Sequence, residues 1–197
     1  MLSCEQIGKL LAIIEDHIVP RIENGVNEGS KAFGAAVLRK SDLGLVLAGA
    51  NNEKENPLWH GEVHTLKEFY EMPRPQRPAT ADCVFLTTHE PCSLCLSAIT
   101  WAGFDNFYYF FDYADTEDVF NIPHDLKILQ EVFKVNNGDY AHQNAFWNCY
   151  GLRRMIDGLP AIEQAALASQ SKAIETTFAR LSQIYQDRKG EADIPLS

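Results

Sequence analysis

Two short clusters hold the residues of this chain that could do chemistry together: His60-Gly61-Glu62, and further along Pro91-Cys92-Ser93-Leu94-Cys95. Zinc takes a tetrahedral set of nitrogen and sulfur ligands, and a hydrolytic site uses three protein ligands so that the fourth position can hold water. His60, Cys92 and Cys95 make three. Glu62 follows the histidine by two residues, near enough to face that water without binding the metal, which is the position of a proton shuttle. The expected cofactor is therefore Zn2+, and the expected catalytic residue is Glu62.

The elements around these clusters can be read from periodicity. Residues 3–24 carry Ile7, Leu10, Leu11, Ile14 and Ile18 at helical spacing, with Ser3 and Gln6 as a capping pair. Apolar runs at 33–38 and 43–48 flank the charged turn 39–42 and read as antiparallel strands. A polar loop follows over 49–57, and 60–70 is helical, so His60 falls near a helix start. Three prolines between 72 and 78 break that helix, but metal ligands lie on both sides, so the segment is a surface connection. Residues 83–88 form a buried-strand run. Pro91 suits the first turn of the next helix, on which Cys92 and Cys95 share a face. A fourth strand is expected at 106–111, and the alternation of strand and helix implies parallel pairing with helices over the sheet. Residues 122–133 and 161–185 have helical patterns, separated by the aromatic segment 146–150.

Composition narrows the partners. The 197 residues fit one domain, and 17 basic against 27 acidic residues give a net charge of −10 with no basic patch. That argues against polymeric nucleic acid and for a small neutral substrate. The first residues lack a basic start and apolar run, and no stretch is long and apolar enough to span a bilayer, so the expectation is a cytoplasmic protein without membrane contact. Cys4, Cys83 and Cys149 then read as reduced thiols without chemistry.

The ordered pair H-x-E and P-C-x-x-C is similar to the signature of zinc-dependent base deaminases. From about Ala32 to Asp118 the chain resembles the cytidine deaminase superfamily, closest in look to the bacterial guanine deaminase and tRNA adenosine deaminase branch. The residues that carry this are Phe33-Gly34-Ala35, Gly49-Ala50-Asn51-Asn52, Glu90 to Leu96, and Ala98-Ile99-Thr100-Trp101-Ala102. The resemblance implies a three-layer α/β/α fold with a mixed central sheet and a C-terminal helical extension: a zinc-dependent deaminase domain over 1–157, and an extension over 158–197 packed on the domain or on a dimer partner. It implies hydrolytic deamination of a nucleobase or similar heterocyclic amine with release of ammonia, guanine leading, and cytosine, cytidine or tRNA adenosine as alternatives. It also implies Asn51, Phe33 and Trp101 as substrate-binding residues and a homodimer along the cysteine helix. Residues 146–150 could be lent to the partner's site.

The chain departs from that family at several places. Gly61 stands where alanine is usual, an exchange that should be tolerated because the side chain does no chemistry. His89 replaces leucine or cysteine just before the zinc-binding turn and joins the substrate-binding candidates. Gly103 replaces arginine. The aspartate that guanine deaminases carry after the fourth strand falls opposite 120–122, with Asp115 and Asp118 nearby. A reading of another class remains: His64, one helical turn after His60, could complete a closed Cys2His2 site in a non-catalytic protein.

Overall fold

Alternate residues of the central strands are buried on opposite sides because helices cover both faces of the sheet. The computed structural model describes residues 2–118, 122–190 and 194–196, with all side chains among these except those of 117 and 118. Five strands run β1 (Gly34–Arg39), β2 (Leu45–Ala50), β3 (Cys83–His89), β4 (Asn106–Phe111) and β5 (Asn148–Gly151), in the order β2-β1-β3-β4-β5. β1 is antiparallel to β2 and β3, whereas β3, β4 and β5 are mutually parallel. The sheet is mixed, as expected.

One face packs Ala36, Leu38, Val84, Leu86 and Phe110 against Ile7, Leu10, Leu11, Ile14 and Phe178. These last come from α1 (Cys4–Ile13), a π-helical turn (Ile14–Ile18) and the C-terminal helix α8 (Ala161–Arg188). The other face packs Ala35, Val37, Phe85, Phe107 and Tyr109 against Leu66, Phe69 and Ile99, from α3 (Gly61–Glu71) and α4 (Ser93–Ala102). Three α/β/α layers result, with α8 laid over α1, α2 (Val19–Val26) and α7 (Leu152–Asp157). The π-turn has a local cause: Pro20, in the first turn of α2, has no N–H to offer the preceding turn.

Several boundaries differ from the sequence reading. The hairpin shifts toward the C-terminus because Leu43 adopts φ 58° in the turn, which delays β2 to Leu45. Within the segment 146–150, Asn148–Gly151 is the fifth strand of its own sheet, with Trp147 and Cys149 buried and Phe146 exposed. Helix α6 (His124–Phe133) starts two residues later than the helical pattern. The short helices α5 (Tyr113–Asp118) and α7 were not foreseen. Gly103 ends α4 in the left-handed region at φ 80°, where a side chain is disfavoured, and this accounts for glycine at that place.

Candidate zinc centre and its cavity

The carboxyl ends of β3 and β4 and the start of β1 lie at one edge of the sheet, where open α/β folds present their ligands. His60 is the extended residue that begins α3, and Cys92 is the extended residue that begins α4. Pro91 therefore stands one place before the cap, not in the first turn. Two helix starts thus deliver ligands from separate segments to one point.

His60 Nδ1 lies 3.4 Å from Cys92 Sγ and 3.8 Å from Cys95 Sγ, and the two sulfurs are 3.6 Å apart. Zinc bonds of about 2.3 Å to sulfur and about 2.0 Å to nitrogen in a tetrahedron set edges of about 3.8 and 3.5 Å. The triangle has the size of one tetrahedral face, so His60, Cys92 and Cys95 fit zinc. Among the described residues this is the one group of three or more His, Cys, Asp and Glu side chains that could hold a metal. His64 stays outside it: its Nδ1 lies 3.0 Å from the Ala50 carbonyl and its ring stacks on Trp59.

Hydrogen bonds from Cys95 and then His60 hold the Cys92 thiol well below its ordinary pKa, the state a metal ligand needs. Burial, and after it the Cys92 thiolate, pushes the Cys95 thiol up. Glu62 is 5% exposed, and its Oε2 sits 3.2 Å from Cys95 Sγ. Burial raises its pKa to about 7, with the Cys92 charge contributing. A carboxyl in that range can both take and return a proton at neutral pH.

The turn that carries the cysteines is tied down by groups with no direct part in this. Glu90 accepts hydrogen bonds from Tyr140 Oη at 2.8 Å and from the Tyr113 N–H at 3.2 Å, and Tyr113 Oη donates to the Pro91 carbonyl at 2.6 Å. Trp147 Nε1 donates to Thr100 on α4 at 2.8 Å.

The ligands open on a cavity of about 290 Å3 whose wall includes Lys31, Phe33, Glu53, Leu58, Ile122 and Asp125. A wider groove of about 530 Å3, next to Leu2 and Phe146, holds none of the ligand residues. Its charged residues, Lys40 and Asp105, pair with each other at 2.7 Å.

Phe33 forms part of the cavity wall. Asn51 is buried and its amide is engaged: Oδ1 accepts the Gly61 N–H, and Nδ2 donates to Glu53 Oε2 at 2.9 Å. Two expected pocket residues lie elsewhere. Trp101 is 91% exposed. It comes nine residues after Cys92, which at about 100° per residue turns it to the opposite side of the helix. His89 is 3% exposed and packs against Phe33, Phe111 and Phe178, with Nδ1 3.0 Å from Thr88 Oγ1. It backs the wall and is not part of it.

Asp115 pairs with Arg153 at 2.6 Å, while Phe120, Asn121 and the Asp118 side chain lie outside the described residues. The aspartate that does reach the cavity is Asp125, in the first turn of α6. Burial, and after it the Cys92 charge, pushes its pKa to about 8. Lys31, Glu53 and Asp125 were missed because they come from loop and cap positions with no motif of their own.

Gly61 also acquires a reason. A Cβ there would lie 2.7 Å from Gly34 Cα and 2.8 Å from Gly34 N, on the backbone of β1. The glycine expected to be tolerated here in place of alanine is in fact the residue that the close approach of β1 leaves room for. Gly61→Ala is expected to push the start of α3 off the sheet and destabilise the fold by about 1–3 kcal/mol. Chemical denaturation reads this, and an unchanged midpoint would refute the close-contact argument.

Residues 18–111 match the family model described as the cytidine and deoxycytidylate deaminase zinc-binding region. Guanine deaminase of Bacillus subtilis (strain 168) is 30% identical over 97 residues, 48% of this chain and 60% of that protein's length. Among solved structures, guanine deaminase from Nitrosomonas europaea has a TM-score of 0.53 at 16% identity, over 86% of this chain and 81% of its own. Another, in complex with 2,6-diaminopurine, has a TM-score of 0.51 at 15% identity, over 96% and 85%. At such identities the structural likeness concerns the fold.

Proposed function

Because residues 18–111 match the cytidine and deoxycytidylate deaminase zinc-binding region, we propose that the chain is a zinc-dependent hydrolytic deaminase of a small heterocyclic amine, with guanine the leading substrate. The observation that carries this is the buried Glu62 carboxyl beside a three-ligand zinc set that opens on a small cavity. The guanine preference leans on the partial similarity to the Bacillus subtilis enzyme.

Zinc, when bound by His60, Cys92 and Cys95, supplies the Lewis acidity that makes water a nucleophile near neutral pH. Glu62 takes a proton from the attacking water and passes it to the ring nitrogen next to the amine-bearing carbon. It then carries the second proton to the departing amine, so that amine and water become a ring carbonyl and ammonia. Phe33 offers its ring to a face of the heterocycle. Asn51 acts as a positioning residue, since its amide fixes Gly61 between His60 and Glu62. Asp125 hydrogen-bonds the amine or ring N–H of the substrate.

Asp125→Asn is expected to lower kcat/KM about three- to tenfold with zinc content unchanged, the scale of one lost hydrogen bond. Activity within twofold of the parent would remove Asp125 from the site. The reading as a whole is tested by ammonia release from zinc-loaded protein over a panel of bases, nucleosides and nucleotides. Silence across the panel, with X-ray absorption showing two sulfurs and two imidazoles, would favour the closed, non-catalytic site.

We further propose a homodimer in which the exposed Trp101 on α4 is covered. Sedimentation of the parent and of Trp101→Glu reads this, and a monomeric parent ends it.

A further inference from the structure

One pair of charges in the cavity wall is not used by the chemistry above. The Lys31 side chain is 8% exposed and that of Glu53 is 1% exposed, with Nζ donating to Oε1 at 2.7 Å. The Lys31 backbone N–H and Asn51 Nδ2 each donate to Glu53 Oε2 at 2.9 Å. Burial pushes this carboxyl up, yet the Lys31 ammonium and the donors on it hold it below its ordinary value. Glu53 is therefore a fully occupied carboxylate.

Lys31 is not fully occupied. An ammonium carries three donors, and among the described residues Glu53 is the acceptor of its Nζ. Two donors are left for whatever fills the cavity that Lys31 lines. A buried ion pair is a poor stabilising device compared with apolar residues of the same size, so its place in a wall otherwise rich in Leu58, Ile122, Ile128 and Leu196 points to recognition. Those apolar groups can hold the faces of a ring but offer nothing to an oxygen on its edge. The pair is also held in register with the chemistry, because Glu53 bonds Asn51 and Asn51 bonds Gly61, the residue between His60 and Glu62.

We propose that Lys31 determines specificity by donating from Nζ to an exocyclic ring oxygen of the substrate, so that the site selects amino-heterocycles bearing an oxo group, with Glu53 as the residue that positions the ammonium. An amino group at that place would set donor against donor, and a hydrogen would leave the buried ammonium unpaired. The assignment rests on the deaminase reading for which ring is turned over, but not for which ring is bound.

The test compares amines that differ at one substituent: guanine with 2,6-diaminopurine and 2-aminopurine, and cytosine with 4-aminopyrimidine. Dissociation constants are measured by calorimetry on zinc-loaded Glu62→Gln, and kcat/KM on the otherwise unaltered chain. Because Lys31→Met alone would leave Glu53 buried without its counter-ion, the comparison variant is Lys31→Met/Glu53→Gln, placed in both backgrounds. At least one oxo compound should bind about tenfold or more tighter than its oxo-free counterpart. In the double variant that ratio should fall to near one, with the oxo compound bound more weakly and the oxo-free compound bound at least as well as before. A ratio that survives the double variant, or no preference in any pair, overturns the assignment. Preference lost with Lys31 but no turnover of any compound would sink the deaminase reading and leave this one standing. Turnover with an unmoved ratio would do the reverse.

Discussion

Zinc-loaded Glu62→Ala is expected to release ammonia at least about a thousandfold more slowly than the parent with its metal content unchanged, within the range that general acid–base groups contribute. Glu62 is not one of the three ligands, so the metal site survives its removal. Its Oε2 nevertheless lies against a ligand sulfur, at the edge of the metal site. The loss should be chemical and not structural. In the metal-free protein burial raises the Glu62 pKa to about 7, above its unfolded value, so the charged form costs stability progressively as the pH rises from the unfolded pKa through 7. A neutral side chain at 62 removes that cost, and the metal-free variant should melt no lower than the metal-free parent above pH 7. Zinc assay, ammonia assay and thermal melts at pH 5 and 8 decide it. Turnover within tenfold of the parent at full zinc content would remove Glu62 from the mechanism.

The second large effect is loss of the metal on Cys95→Ala. Three ligands leave no spare, and both cysteines are at least nine-tenths buried, so water cannot readily replace the lost sulfur. Zinc content should fall below about a tenth of the parent's, turnover should vanish, and the thermal midpoint should become insensitive to chelator, because the free energy of metal binding is part of the folding free energy. Cys83→Ala is the matched control: Cys83 is also buried, on β3, with its thiol pushed up by burial and bonded to the Ala79 carbonyl. It should lower stability slightly and keep its zinc. If Cys95→Ala retains stoichiometric metal, the ligand set is wrong.

Much of the site could be read from the sequence because its ligands are placed by local geometry. The turn of a helix brings Cys92 and Cys95 together whatever surrounds them, and the extended His60 leads directly into the first turn of α3, which carries Glu62. The strands that carry them are continuous apolar runs, since both faces of the sheet are buried, and such runs are legible without a partner in view. Trp101 shows the limit of matching by motif: its phase on α4 relative to Cys92 already turned it away from the metal, and the resemblance outweighed that signal.

What only the tertiary structure decided has a common cause in contacts between segments far apart in sequence. Lys31, Glu53 and Asp125 lie on two loops and a helix start, and their pairing and burial depend on how β1, β2 and α6 meet. The need for glycine at 61 is set by Gly34 on another strand, and β5 is a four-residue strand held by its pairing with β4. The sequence by itself thus determined the three-ligand zinc set, the carboxyl beside it and the layered α/β fold, whose information is local and periodic. The packing of distant segments decided which polar groups wall the cavity, because such contacts leave no spacing in the chain to be read.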